Sequence, residues 1–250
     1  MKHKKFLYIT ISIIWLIITY SVFYLFDNET IKIISGEDGF FEMLTAIFFF
    51  IASISFFYLY FKDRLGNNFY ILKTKKNIFF LLLGILFLFG SGEEISWGQR
   101  IFNIETPQAL KEINTQKELN IHNIAIFHGD IEKGKPKTGL AKLMTIGMLF
   151  QMFWFTYCFL IPVINKSSSN ISKILKTINL PIVPIWMGVL FVLNYIISRI
   201  VNFQLLDGHH YVIENKESAF AFLFFIVGIY FIRDRQNLQL SPRQSKSLKI

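Results

Sequence analysis

The stretch from Phe6 to Phe26 runs 21 residues without a charged side chain, and apolar runs of similar character recur along the chain. Hydrocarbon offers no water to backbone N–H and C=O groups, so a run of this kind must form a helix that bonds internally. As a helix it spans about 31 Å, the thickness of a bilayer core. Further runs lie at Phe40 to Phe61, Ile78 to Trp97, Leu140 to Ile164, Pro181 to Ile200 and Ala219 to Ile232. The last would cover only about 21 Å, so the reading starts that helix near His210, with polar first turns facing protein or water. The expected fold is all-α: a single integral membrane domain over 1–250, a polytopic bundle of about six transmembrane helices.

Composition agrees, with 17% charged residues against about 25% in a soluble domain and a mean hydropathy of +0.44. The net charge of +9 raises the question of nucleic acid. The Lys and Arg residues, however, sit in short blocks beside the apolar runs, as determinants of membrane topology do, and no nucleic-acid partner is expected. The N-terminus, the loop after helix 2, the loop after helix 4 and the tail hold 16 of them, against 8 in the other three connections. Both termini are therefore expected in the cytoplasm, with 233–250 as a cytoplasmic tail. MKHKK and the run behind it have the look of a signal peptide. The apolar stretch exceeds an ordinary h-region and no small-x-small site follows, so it reads as a retained first helix. The single Cys158 excludes an intramolecular disulfide and a thiolate metal site.

The chemistry gathers around Gly90 to Phe102, GSGEEISWGQRIF, at the end of an apolar run. Carboxylates at membrane depth are costly and call for a partner or a reaction. If Ile78 to Trp97 is one helix, Glu93, Ser96 and Arg100 share a face and Glu94 points to a different neighbour. With the expected topology, Glu37, Asp38, Glu42, Glu93, Glu94, Arg100, Asp207, His209, His210 and Glu214 all map to one leaflet, joined by His122, Asn123 and His128. His210 and Glu214 are four apart, a workable spacing for two metal ligands and equally for a helix-surface ion pair. Gly208 permits a turn beside them. The segment 98–139 is polar with amphipathic patches, and its Pro107 to Ile126 region is expected to be helical at the interface.

These residues suggest roles. Glu93 or Glu94 could ligate a divalent cation or activate a water. His122 could serve as an acid or base, and Arg100 could clamp an anionic oxygen such as a lipid phosphate. His209, His210, Glu214 and His128 are candidate ligands for a divalent metal such as zinc. Trp97 suits an aromatic belt at the interface.

GEEISWGQRIF, followed by IETPQALKEIN and LNIHN, is similar to stretches in bacterial multi-pass membrane proteins of no assigned activity. That likeness implies a bacterial cytoplasmic membrane. The glutamate pair also resembles the signature of the CAAX-protease-like membrane glutamate peptidases: two adjacent glutamates, three residues, then arginine, with histidines on later helices. Glu93 and Glu94 match the pair, Arg100 follows after five residues, and His128 or His209 would stand for a later histidine. The resemblance implies that such a pair on a membrane helix can serve hydrolysis.

The expected function is a membrane enzyme, a metal-assisted hydrolase or transferase on a lipid-linked or membrane-peptide substrate at the outer interface. A transporter or channel using the same groups, and a non-catalytic membrane assembly protein, are the alternatives. The sequence leaves the oligomeric state open.

Overall fold

A computed structural model describes residues 2–36, 38–62, 76–127, 131–132, 135–205 and 211–239, with the backbone alone at 2–4, 100, 131–132, 135–136 and 235–239. Its principal helices are α1 (Lys2–Leu25), α2 (Asn28–Ser35), α3 (Phe40–Lys62), α4 (Ile78–Glu94), α5 (Ile146–Ser167), α6 (Ser169–Thr177), α7 (Ile185–Gln204) and α8 (Tyr211–Gln239). Those beginning with α1, α3, α5, α7 and α8 are long and apolar enough to cross a membrane. At 17 residues, α4 covers about 25 Å, within the lower range for a span. The all-α membrane bundle is thus the fold.

The last helix is the centre of the bundle. Phe220, Ala221, Phe224 and Val227 of α8 are at most 1% exposed, and α3, α7, α1 and α2 all pack against it. A helix apolar all round belongs in an interior, which α8 occupies. It starts at Tyr211, close to the expected position, and runs on to Gln239, so the first residues of the basic tail are helical.

Polar side chains tie the spans together. Asn194 of α7 is fully buried. Its Oδ1 accepts from the Tyr20 hydroxyl at 2.7 Å and its Nδ2 donates to the Lys216 carbonyl at 3.1 Å. One amide therefore joins α1, α7 and α8. Tyr24 donates to Gln204 Oε1 at 2.5 Å, placing the C-terminal ends of α1 and α7 together. At the opposite end, Asn77 Nδ2 donates to the Asn179 carbonyl at 2.7 Å. Asp27 caps α2 by accepting from Thr30 N at 2.8 Å, which holds its carboxyl below the usual range.

Three expectations change. The helix after Ile78 stops at Glu94 rather than Trp97, because Ser96, Trp97 and Gly98 take left-handed backbone angles. Among its described residues, the segment 98–139 is helical only at short turns such as Gln108–Ile113. Asn114 then breaks the helix: its Oδ1 accepts from Gln116 N and Glu118 N and its Nδ2 reaches Asn120, an alternative to helical bonding. The Leu140 to Ile164 helix begins instead at Ile146, behind Thr145, whose hydroxyl accepts from Met148 N.

Within α5, Phe155–Leu160 is π-helical. Pro162 lacks an N–H and cannot bond the carbonyl four residues back, that of Cys158. The α7 backbone comes up against this carbonyl at Gly188, where an added Cβ would lie 2.2 Å from the oxygen.

Candidate functional site

The two adjacent glutamates end α4 and face different neighbours. Glu93 is 5% exposed and its carboxylate is filled with donors. Oε1 accepts from Trp97 Nε1 at 2.6 Å, and Oε2 accepts from Ile121 N at 2.6 Å and His122 N at 2.8 Å. His122 Nδ1 lies 3.4 Å from the same oxygen. Charge-assisted bonds of this number make Glu93 a clamp that holds the 114–125 loop on the end of α4.

A second set of bonds completes the clamp. Ser96 Oγ donates to Glu118 Oε2 at 2.6 Å and accepts from Asn120 Nδ2 at 3.0 Å. Gln99 Oε1 accepts from Leu119 N at 2.7 Å, and its Nε2 donates to Thr106 Oγ1 at 2.7 Å. Left-handed angles at non-glycine residues cost roughly 1–2 kcal/mol each, and these bonds offset that cost at Ser96 and Trp97. The Trp97 ring folds back over Gly92, where a Cβ would sit 2.8 Å from it.

Glu94 faces the bundle instead. Carboxylate oxygens of Glu94, Glu214 and Glu217 all lie within 4.8 Å of one another, and Glu42 and Glu93 add negative charge around Glu94. Glu214 and Glu217 are three apart at the start of α8 and so share a face. Ser218 continues that stripe one turn beyond Glu214. It is fully buried and its hydroxyl has no partner among the described residues. Helical side chains lean toward the N-terminus, so this hydroxyl leans toward the carboxylate turn.

Three carboxylates at this spacing repel one another when ionised. At an effective dielectric near 20, two unit charges at the outer bound of 4.8 Å repel by roughly 3–4 kcal/mol. The Lys216 ammonium, 4.0 Å from Glu217, compensates one charge. A shared proton or a bound cation would lower the repulsion further. The three Glu residues supply only oxygen donors, which suits a hard divalent cation.

Beneath the carboxylates the bundle is sealed by rings. Phe87 stands 4.6 Å from Phe224, Phe191 stands 4.8 Å from Phe224, and Phe56 stacks on Phe87 at 5.6 Å. Three hydroxyls nearby bond to backbone: Ser53 to the Gly84 carbonyl, Ser91 to the Ala46 carbonyl and Thr45 to the Phe41 carbonyl.

Of the residues singled out in the sequence, the structure brings Glu94 and Glu214 together, and separately Glu93 and His122. The backbone of Arg100 lies on the one-turn helix Gln99–Phe102. His128, His209 and His210 lie outside the described residues. Glu217 was missed. The signal was the Glu-x-x-Glu spacing with Glu214, obscured because Glu217 directly precedes the apolar run and reads as the end of a polar connection. No protein-family model, curated protein or solved structure matches the chain.

Proposed function

We propose that this chain is an integral membrane enzyme, a hydrolase or transferase that uses a divalent cation held by Glu94, Glu214 and Glu217. The observation that carries the reading is the convergence of those three carboxylates from two helices that meet at one end of the bundle. An all-oxygen set favours Mg2+ or Mn2+ over zinc. Such ions keep open positions and commonly take substrate phosphate oxygens there, so a lipid-linked phosphate suits the site better than a membrane peptide. A divalent cation held there would supply Lewis-acid polarisation of a phosphoryl oxygen. A carboxylate of the cluster would take the proton of the attacking water or hydroxyl as its oxygen bonds to phosphorus and the bond from phosphorus to the leaving oxygen breaks, and would return that proton to the leaving oxygen. Arg100, six residues past Glu94, is the candidate anion clamp.

The distribution of Lys and Arg supports a cytoplasmic membrane location with both termini inside and the carboxylates at the outer interface. The layer of phenylalanine rings beneath the cluster counts against transport, because ions would have to cross an apolar plug.

Mn2+ titration of the purified protein in detergent, followed by electron paramagnetic resonance, tests the reading. The wild type should take up Mn2+, Glu94→Gln and Glu217→Gln should lose that uptake, and Glu93→Gln should retain it. Absence of Mn2+ uptake by folded wild-type protein would refute the proposal.

A further inference from the structure

At the end of the bundle opposite the carboxylates, α6 runs between α5 and α7 with a strongly two-sided surface. Ile171, Ile174, Leu175 and Ile178 recur at the spacing of one helix face. Ile171 is 38% and Ile174 60% exposed, so no element among the described residues covers this part of the stripe. Lys173 and Lys176 are exposed beside it, and Lys166 stands one turn before the helix. Ser168 caps the helix, accepting from Ile171 N. A short helix joining two spans, with an open apolar face and lysine flanks, has the character of one lying in the membrane interface.

An apolar groove begins where this helix ends. Its volume is about 180 Å³, and Phe79, Leu82, Leu86, Phe153, Tyr157 and Leu180 line it between α4 and α5. Leu180 N bonds to the Leu175 carbonyl, so the groove is continuous with α6. The Asn77–Asn179 bond ties the start of α4 to the chain just after α6 at the same end. The Tyr157 hydroxyl is spent on the Pro181 carbonyl, which leaves only its ring facing the groove. The groove therefore offers apolar surface at bilayer depth and cations at the headgroup level above it.

We propose that this groove and α6 together bind an anionic phospholipid, with an acyl chain against Leu82, Leu86 and Phe153 and the headgroup phosphate beside Lys173 and Lys176. Charge complementarity selects the headgroup: a lysine near an anionic lipid surface contributes favourably, whereas a zwitterionic headgroup presents no net charge to it. The site stands apart from the carboxylate cluster and does not depend on its chemistry.

Native mass spectrometry on the full chain, equilibrated in detergent with equal amounts of phosphatidylglycerol and phosphatidylcholine, tests the proposal. The wild type should retain phosphatidylglycerol in roughly tenfold preference. Lys173→Gln with Lys176→Gln, on an exposed surface, should bring that preference close to one. Leu82→Trp, which fills the groove from its exposed wall, should reduce retention of both lipids alike. Equal retention of the two lipids by the wild type would overturn the proposal. So would a preference unchanged in the double lysine variant, or lipid retention unchanged by Leu82→Trp. Thermal unfolding matched to the wild type establishes that each variant is folded.

Discussion

Trp97 Nε1 donates to Glu93 Oε1 at 2.6 Å, four residues back along the chain, so the buried carboxylate holds in place a residue whose φ of 55° is left-handed. The same carboxylate gathers the amides of Ile121 and His122. The helix end and the loop above it are therefore one unit, with Glu93 as its fastening.

Replacing Glu93 with Gln removes the charge and turns one acceptor into a donor facing other donors. Hydrogen bonds to a charged group contribute about 1.5–3 kcal/mol, and a loss of about 2 kcal/mol is expected. Limited proteolysis should cut the 114–125 loop far faster in the variant, while Mn2+ uptake persists. An unchanged cleavage pattern would contradict the clamp.

Glu94→Gln should behave in the opposite way. Without divalent cation it relieves repulsion among the three carboxylates, so the variant should unfold at a temperature equal to or above that of the wild type. Mn2+ at a hundred times its dissociation constant should stabilise the wild type by about 2.7 kcal/mol and the variant by nothing measurable. Differential scanning fluorimetry with and without Mn2+ reads both effects.

Gly188→Ala places a methyl group 2.2 Å from the Cys158 carbonyl oxygen, a contact that backbone rather than a flexible side chain must yield to. Overpacking of this kind costs about 1–3 kcal/mol. The expected result is a lower unfolding temperature in detergent, with Gly147→Ala, which meets nothing within 4 Å, as the neutral comparison.

Asn194→Leu removes the amide that bridges Tyr20 and the Lys216 carbonyl. Interhelical hydrogen bonds in membranes average about 0.6 kcal/mol and reach about 1.7, and this doubly bonded, fully buried amide should fall near the upper figure. Tyr20→Phe should cost less, because Asn194 keeps its bond to α8. Denaturant titration of the two variants and their double mutant would measure the coupling.

Much of this arrangement was legible in the sequence. The apolar runs and the placement of Glu94 and Glu214 at one end follow from the alternating direction of successive spans, which depends on composition rather than on detailed packing. The expectation that the two adjacent glutamates face apart also holds, since neighbouring helix positions diverge by about 100°. What escaped was set by local competition. Asn114 bonds to Asn120, Asn123 donates to the Gln116 side chain and accepts from Thr115 through its carbonyl, and these bonds displace the helix expected across Pro107 to Ile126. The stop at Glu94 depends on left-handed Ser96 and Trp97, residues that do not announce that conformation and keep it only through tertiary bonds. Glu217 escaped because an apolar run was taken to begin where the helix had already completed two turns.

The position of α8 has a consequence for biogenesis. Glu214 and Glu217 arrive on a helix that packs among spans made before it, so Glu94 lacks these two companions while the earlier helices are being inserted. A ribosome that stalls ahead of Tyr211 leaves a fragment lacking two of the three acids, so the cluster is completed only when the last helix is in place.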